Sequence, residues 1–130
     1  MKFSLLILGA PYSSQSSDTA LRFAKASLAC GHQVLRIFFY NDAVNNGNAL
    51  ITPAQDEQSL PKKWQQLAKE HKIDLVVCIS SALKRGVLDA TEANRYEKSA
   101  DNIQPGFTIG GLGQLVDAAI NSDRLITFGR

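Results

Sequence analysis

The sequence predicts an α/β protein in which a mainly parallel sheet is covered by helices on both sides. Three observations carry that expectation. Short apolar runs rich in Val, Ile, Leu and Phe recur along the chain, segments with helical spacing separate them, and capping or glycine signals mark the changeovers. Strands alternating with helices need crossover connections, which are right-handed and lay parallel strands beside one another.

Residues 3–8 are almost continuously apolar, the mark of a strand covered on both faces. With Lys2 before it this run mimics a short signal peptide. It is brief, however, no A-x-A site follows, and it leads straight into a helix start, so a buried first strand is expected. Ser16 or Ser17 is expected to cap the next segment, where Ala20, Leu21, Ala24 and Leu28 repeat at helical spacing until Gly31 stops it. Residues 34–39 read as a second strand, rich in β-branched and aromatic side chains. An irregular stretch is expected over residues 40–58. A helix follows, with Pro61 tolerated in its first turn and Trp64, Leu67 and Ala68 on one face.

Residues 75–79 form the expected third strand, and 80–85 a short helical turn ended by Gly86. Asp89-Ala90-Thr91-Glu92 has capping-box spacing and should open another helix. A fourth strand has the weakest signal, with part of 103–109 as its source. Gly110-Gly111-Leu112-Gly113 precedes an amphipathic segment carrying Leu112, Leu115, Val116, Ala119 and Ile120, and residues 124–128 close the sheet.

The 130 residues fit one domain, 1–130, and 45% hydrophobic with 20% charged residues is an ordinary globular mix. A net charge of +2 is too mild to announce a nucleic-acid surface, and Lys62-Lys63 and Lys84-Arg85 are isolated pairs. No stretch approaches the roughly 18 apolar residues of a membrane helix. Cys30 and Cys78 are too few for a disulfide framework, so both are expected as thiols in a reducing cytoplasm.

In open parallel sheets, sites gather beyond the carboxyl ends of the strands. Cys78 falls there, between a Val-rich strand and a Ser-Ser helix start, and is the candidate catalytic residue. A free thiol with a pKa of about 8.5 is only about a tenth thiolate near pH 7.5. A helix amino terminus contributes up to about 2 kcal/mol towards the anion. Lys84 and Arg85, one to two turns on, are candidates to add positive potential. The alternative is that Cys78 is a buried small hydrophobe. Cys30 closes a helix at the negative end of its dipole, a poor place for a thiolate.

Other motifs are weaker. The sixth residue after Cys78 is Lys84 rather than Arg, and no glycine lies between them, so a phosphatase- or rhodanese-type loop is not formed. The turn from Gly9 to Ser17 is hydroxyl-rich, fitting helix capping or a phosphate, but lacks a Gly-x-Gly-x-x-Gly pattern and a Walker lysine. Gly110-Gly111-x-Gly113 reads as a tight turn or a close backbone approach. His32 and His71 flank helix ends without metal-ligand spacing, and Asp56-Glu57 reads as a solvated acidic pair. The 40–58 segment carries Tyr40, Leu50, Ile51 and Pro53; apolar residues on so long a loop, beside Phe38-Phe39-Tyr40, point to a partner surface.

Taken together, five stretches resemble the DsrE/DsrF-like family along nearly the whole chain. They are Phe38-Phe39-Tyr40 with Val44; Thr52-Pro53-Ala54 with Asp56-Glu57; the block from Cys78 through Lys84-Arg85-Gly86-Val87 to Thr91-Glu92-Ala93; Gly106-Phe107-Thr108 with Gly111-Leu112-Gly113; and Asp123-Arg124. The resemblance implies a three-layer α/β/α sandwich with about five strands. It also implies a cytoplasmic sulfurtransferase in the pathway for 2-thiolation of the tRNA wobble uridine. Cys78 would receive sulfur as a persulfide from a TusA-like donor and pass it to a TusE-like acceptor. TusB- and TusC-like subunits would complete a heterohexamer, with no metal or organic cofactor and no direct nucleic-acid contact. A flavodoxin-like ligand-binding module using the 9–17 turn, and a non-catalytic assembly subunit, stay open as alternatives.

Overall fold

A computed structural model describes residues 1–130. Strand β1 (Lys2–Ile7) leads through helix α1 (Ser16–Ala29) to β2 (Gln33–Phe39), and a 3-10 helix (Asn41–Gly47) and α2 (Leu60–His71) lead on to β3 (Asp74–Cys78). Short helices α3 (Ile79–Lys84) and α4 (Ala90–Arg95) precede β4 (Phe107–Gly110), then α5 (Leu112–Asn121) and β5 (Arg124–Phe128). The five strands form one sheet in the order β4-β3-β2-β1-β5, and every neighbouring pair is parallel.

That order explains the layers. From β1 to β4 the chain steps in one direction across the sheet, then α5 carries it back to the far edge beside β1. Right-handed crossovers put connections running in opposite directions on opposite faces, so α5 covers the face that α1 and α2 do not. The alternation within β2 agrees: the Phe39 ring meets Trp64 of α2 at 5.4 Å, whereas Arg36 reaches Asp117 of α5 at 3.0 Å. The core is continuous, with Leu5, Ile7, Ile37, Phe38, Phe39, Trp64 and Val77 all closed to solvent. The sandwich and its five strands are as the sequence predicts, including a strand drawn from the end of the 103–109 stretch.

Four local expectations are corrected. Neither Ser16 nor Ser17 caps α1; Gln15 holds the cap position, and both serines are buried in the first turn. Ser17 instead donates its hydroxyl to the Gly9 carbonyl at 3.0 Å, a buried acceptor that a solvent-facing cap would leave unpaired. The 40–58 stretch is not irregular at its start. Residues 41–47 wind into a 3-10 helix whose Ala43 and Val44 sink into the core, so only Leu50, 72% exposed, keeps the character of an apolar surface residue. Phe38 and Phe39 are fully buried sheet residues, not part of a sticky surface. Finally, the amphipathic face of α5 is split: Ala118 is buried and Leu115 half-buried, but Leu112, Val116 and Ile120 are 52%, 57% and 75% exposed.

Other local signals act as expected. Pro61 lies in the first turn of α2, and the Asp89 carboxylate accepts from the Glu92 amide at 2.8 Å to start α4; Ser59, outside those expectations, caps α2. The return half of that capping box is not made. Glu92 turns its carboxylate to Arg95 at 3.5 Å. No helix is long and apolar enough to cross a membrane.

Candidate active site at the carboxyl edge of the sheet

Because the strands are parallel, their carboxyl ends lie along one edge. The turn after β1, the start of the 3-10 helix after β2, Cys78 at the end of β3 and Gly110 at the end of β4 therefore share that edge, with Cys78 and Gly110 in register. Gly110 is needed there for space: a Cβ at this position would run into the Gln114 side chain and lie 2.9 Å from Val76 Cγ1. The close backbone approach is thus made at Gly110, to this chain's own residues, whereas Gly111 and Gly113 face open space.

Cys78 is both the last residue of β3 and the N-cap of α3, with extended backbone dihedrals. A strand that feeds directly into a helix points the first-turn amides back at the capping side chain. The thiol makes no cap bond of ordinary geometry, but Ser80 Oγ lies 3.7 Å from Sγ. Burial pushes the Cys78 thiol up. The Ser81 amide, the Ser80 and Ser81 hydroxyls and the Ser80 amide pull the other way, and the result is a pKa below the ordinary thiol value. The residue is only 2% exposed, so the thiol sits within the sheet edge rather than out on its surface. Cys30, the C-cap of α1, is exposed and distant in the fold.

Lys84 and Arg85 part company. The Arg85 Nε donates to Asp42 Oδ1 at 2.8 Å and its Nη1 to the Ser81 carbonyl at 3.2 Å, so its charge is engaged by the 3-10 helix. Lys84 lies beside Leu83, Leu88, Tyr96 and Lys98 along an open groove of about 550 Å³. Neither side chain is among the groups that lower the Cys78 pKa. The sequence marks Ser80 and Ser81 as a helix start only and carries no local signal for Asn41 or Asp42. A pair separated by 43 residues leaves no periodic signal.

The remaining candidates lie elsewhere. The 9–17 turn borders a cleft of about 530 Å³ with walls including Tyr12, Gln15, Asp18, Glu57 and Lys63, and Cys78 is not among them. Three of its serines are engaged within the turn, Ser14 Oγ with Ser16 Oγ at 2.9 Å and Ser17 with the Gly9 carbonyl. His32 Nδ1 meets the amino terminus at 2.8 Å, and His71, Asp56 and Glu57 are exposed. No group of three or more His, Cys, Asp and Glu side chains is placed to hold a metal ion.

Comparison with known proteins points one way. The model of the DsrE/DsrF-like family matches residues 1–128. The chain is 51% identical to the DsrE protein of Allochromatium vinosum over 99% of each sequence. It is 45% identical to sulfurtransferase TusD of Sodalis glossinidius over 98% of each. In structure it is similar to the ychN protein of E. coli, with a TM-score of 0.77 over 98% of this chain and 99% of that one; at 23% identity that likeness bears on the fold alone.

Proposed function

The chain belongs to the DsrE/DsrF-like family, and from that premise we propose that it is a sulfurtransferase that carries sulfur as a persulfide on Cys78. The observation that carries this reading is the placement of Cys78 as the N-cap of α3 with a lowered pKa, together with the 45% identity to a protein named sulfurtransferase TusD.

The chemistry balances without metal or organic cofactor. The Cys78 thiolate attacks the terminal sulfur of a donor persulfide. A new S–S bond forms at Sγ, the donor's S–S bond breaks, and the donor leaves as a thiolate with the bonding pair. An acceptor thiolate then attacks the terminal sulfur on Cys78 and returns Cys78 to its thiolate. Each step is an exchange, so no outside oxidant or reductant is consumed. The Ser80 and Ser81 donors suit both anions, the thiolate that attacks and the thiolate that leaves. With Cys78 so little exposed, the donor must reach into the sheet edge.

In this reading the 130 residues act as one unit in the cytoplasm. They take sulfur from a TusA-like donor, hand it to a TusE-like acceptor and feed 2-thiolation of the tRNA wobble uridine. TusB- and TusC-like chains complete a heterohexamer. The exposed stripe of Leu112, Val116 and Ile120 on α5 supports partnership, because it leaves apolar area that the monomer does not bury.

Intact-mass measurement tests the central step. After incubation with a cysteine desulfurase and carrier, wild type should gain one sulfur and Cys78→Ser none. Equal loading of the variant, or loading on Cys30, would overturn the assignment. Loss of 2-thiouridine from tRNA in a strain lacking the gene tests the pathway.

A further inference from the structure

Arg85 looks at first like a cation placed to attract a sulfur anion. Its contacts say otherwise. The Arg85 amide bonds back to the Ala82 carbonyl at 3.1 Å, tightening the last turn of α3, so the Ser81 carbonyl is left for the Arg85 side chain, which donates to it at 3.2 Å. The same guanidinium donates to Asp42 at 2.8 Å, at the entrance of the 3-10 helix. One residue earlier, the Asn41 amide donates to the Ser81 hydroxyl oxygen at 3.1 Å, from a left-handed backbone with φ of 52°. Ser81, itself buried, is therefore gripped twice by groups that converge from the 3-10 helix: at its hydroxyl directly and at its carbonyl through Arg85. With its oxygen accepting from Asn41, the Ser81 hydroxyl proton is free to turn towards Cys78.

We propose that Arg85 is a positioning residue for Cys78: the Asp42–Arg85 pair ties the 3-10 helix to the Ser81 peptide and so fixes the first-turn donors of α3 on the sulfur. The proposal rests on the relay reading only in naming Cys78 as the reacting group. The charged side chains on α3 and on the 3-10 helix packed against it are Lys84, Arg85 and Asp42, and β3 adds only Asp74 at its far end. Arg85 and Asp42 neutralise each other, so their joint field at the sulfur is small. Their geometry is what remains.

The experiment follows the pH profile of Cys78 alkylation in the full chain, with Cys30→Ser as background and thermal midpoints recorded alongside. Two variants separate positioning from a direct field. Asp42→Asn removes a negative charge, so a direct field would lower the alkylation midpoint, whereas loss of the tie raises it. Arg85→Lys keeps the charge but cannot serve Asp42 and Ser81 together, so a direct field predicts no change and loss of the tie again raises the midpoint. Sulfur loading should slow roughly fivefold in each, the weight of one ordinary hydrogen bond. The double variant should do no worse than either single one. A lowered midpoint in Asp42→Asn, or an unchanged one in Arg85→Lys, would overturn the proposal. Wild type that fails to load sulfur would instead count against the relay reading and leave this profile readable.

Discussion

The indole Nε1–H of Trp64 donates to Oδ1 of Asn46 at 3.1 Å, and both side chains are closed to solvent. Asn46 in turn donates to Ser17 Oγ at 3.0 Å and the Ala43 carbonyl at 2.9 Å, and Ser17 donates to Gly9. This chain of bonds fastens the 3-10 helix to the turn after β1 and to α2, using up the polar atoms it buries. Asn46→Ala should therefore cost about 3 kcal/mol, combining an orphaned indole N–H with a cavity. Urea denaturation reads it directly; a loss under about 1 kcal/mol would mean that water takes the amide's place.

A second anchor secures α5. The Arg36 guanidinium, 14% exposed, donates to the Gln114 carbonyl at 2.8 Å and pairs with Asp117 and Asp74, each at 3.0 Å. Ala118 is the one α5 residue fully buried, so the helix leans on this contact. Arg36→Met should destabilise by about 1–2 kcal/mol and speed amide exchange in α5 more than in α1. Arg36→Lys should recover little, lacking the fork. Uniform exchange across both helices would show that α5 is held by packing alone.

Reactivity by exposure and reactivity by chemistry should diverge. A bulky maleimide should label exposed Cys30 well before Cys78, at 2% exposure, whereas sulfur should load only on Cys78. Site-resolved mass spectrometry separates the two. Faster labelling of Cys78 would show that the sheet edge opens readily in solution.

The lowered Cys78 pKa fixes the sign of a pH effect on stability. A thiol whose folded value lies below its unfolded one contributes stability that is complete above the unfolded value of about 8.5 and is lost as pH falls through the folded value. The stability difference between wild type and Cys78→Ser should therefore widen as pH rises from about 6 to about 9. A flat difference would mean that the first turn of α3 does not favour the anion.

The α5 stripe makes a separable prediction. Val116→Glu and Ile120→Glu sit on exposed positions and should change the stability of the isolated chain by no more than about 0.5 kcal/mol. Each should nonetheless weaken co-elution with TusB- and TusC-like chains on size exclusion. Unimpaired co-elution would place the contact elsewhere.

The sequence by itself determined what depends on near neighbours. Period, caps and glycine stops located β1, α1, β2, α2, β3 and β5, and put Cys78 between a strand end and a helix start. Each of those signals is a property of residues within a turn or two of one another. Tertiary structure decided everything that joins distant segments: the strand order, the burial of Val44 under a 3-10 helix, the inward use of Ser17, and the exposure of Val116. It also decided the role of Arg85, whose partner Asp42 lies 43 residues away. The physical reason is that an unpaired buried polar group costs more than a local preference returns, so Ser17 and Asn46 take whichever partner the packed sheet brings within reach.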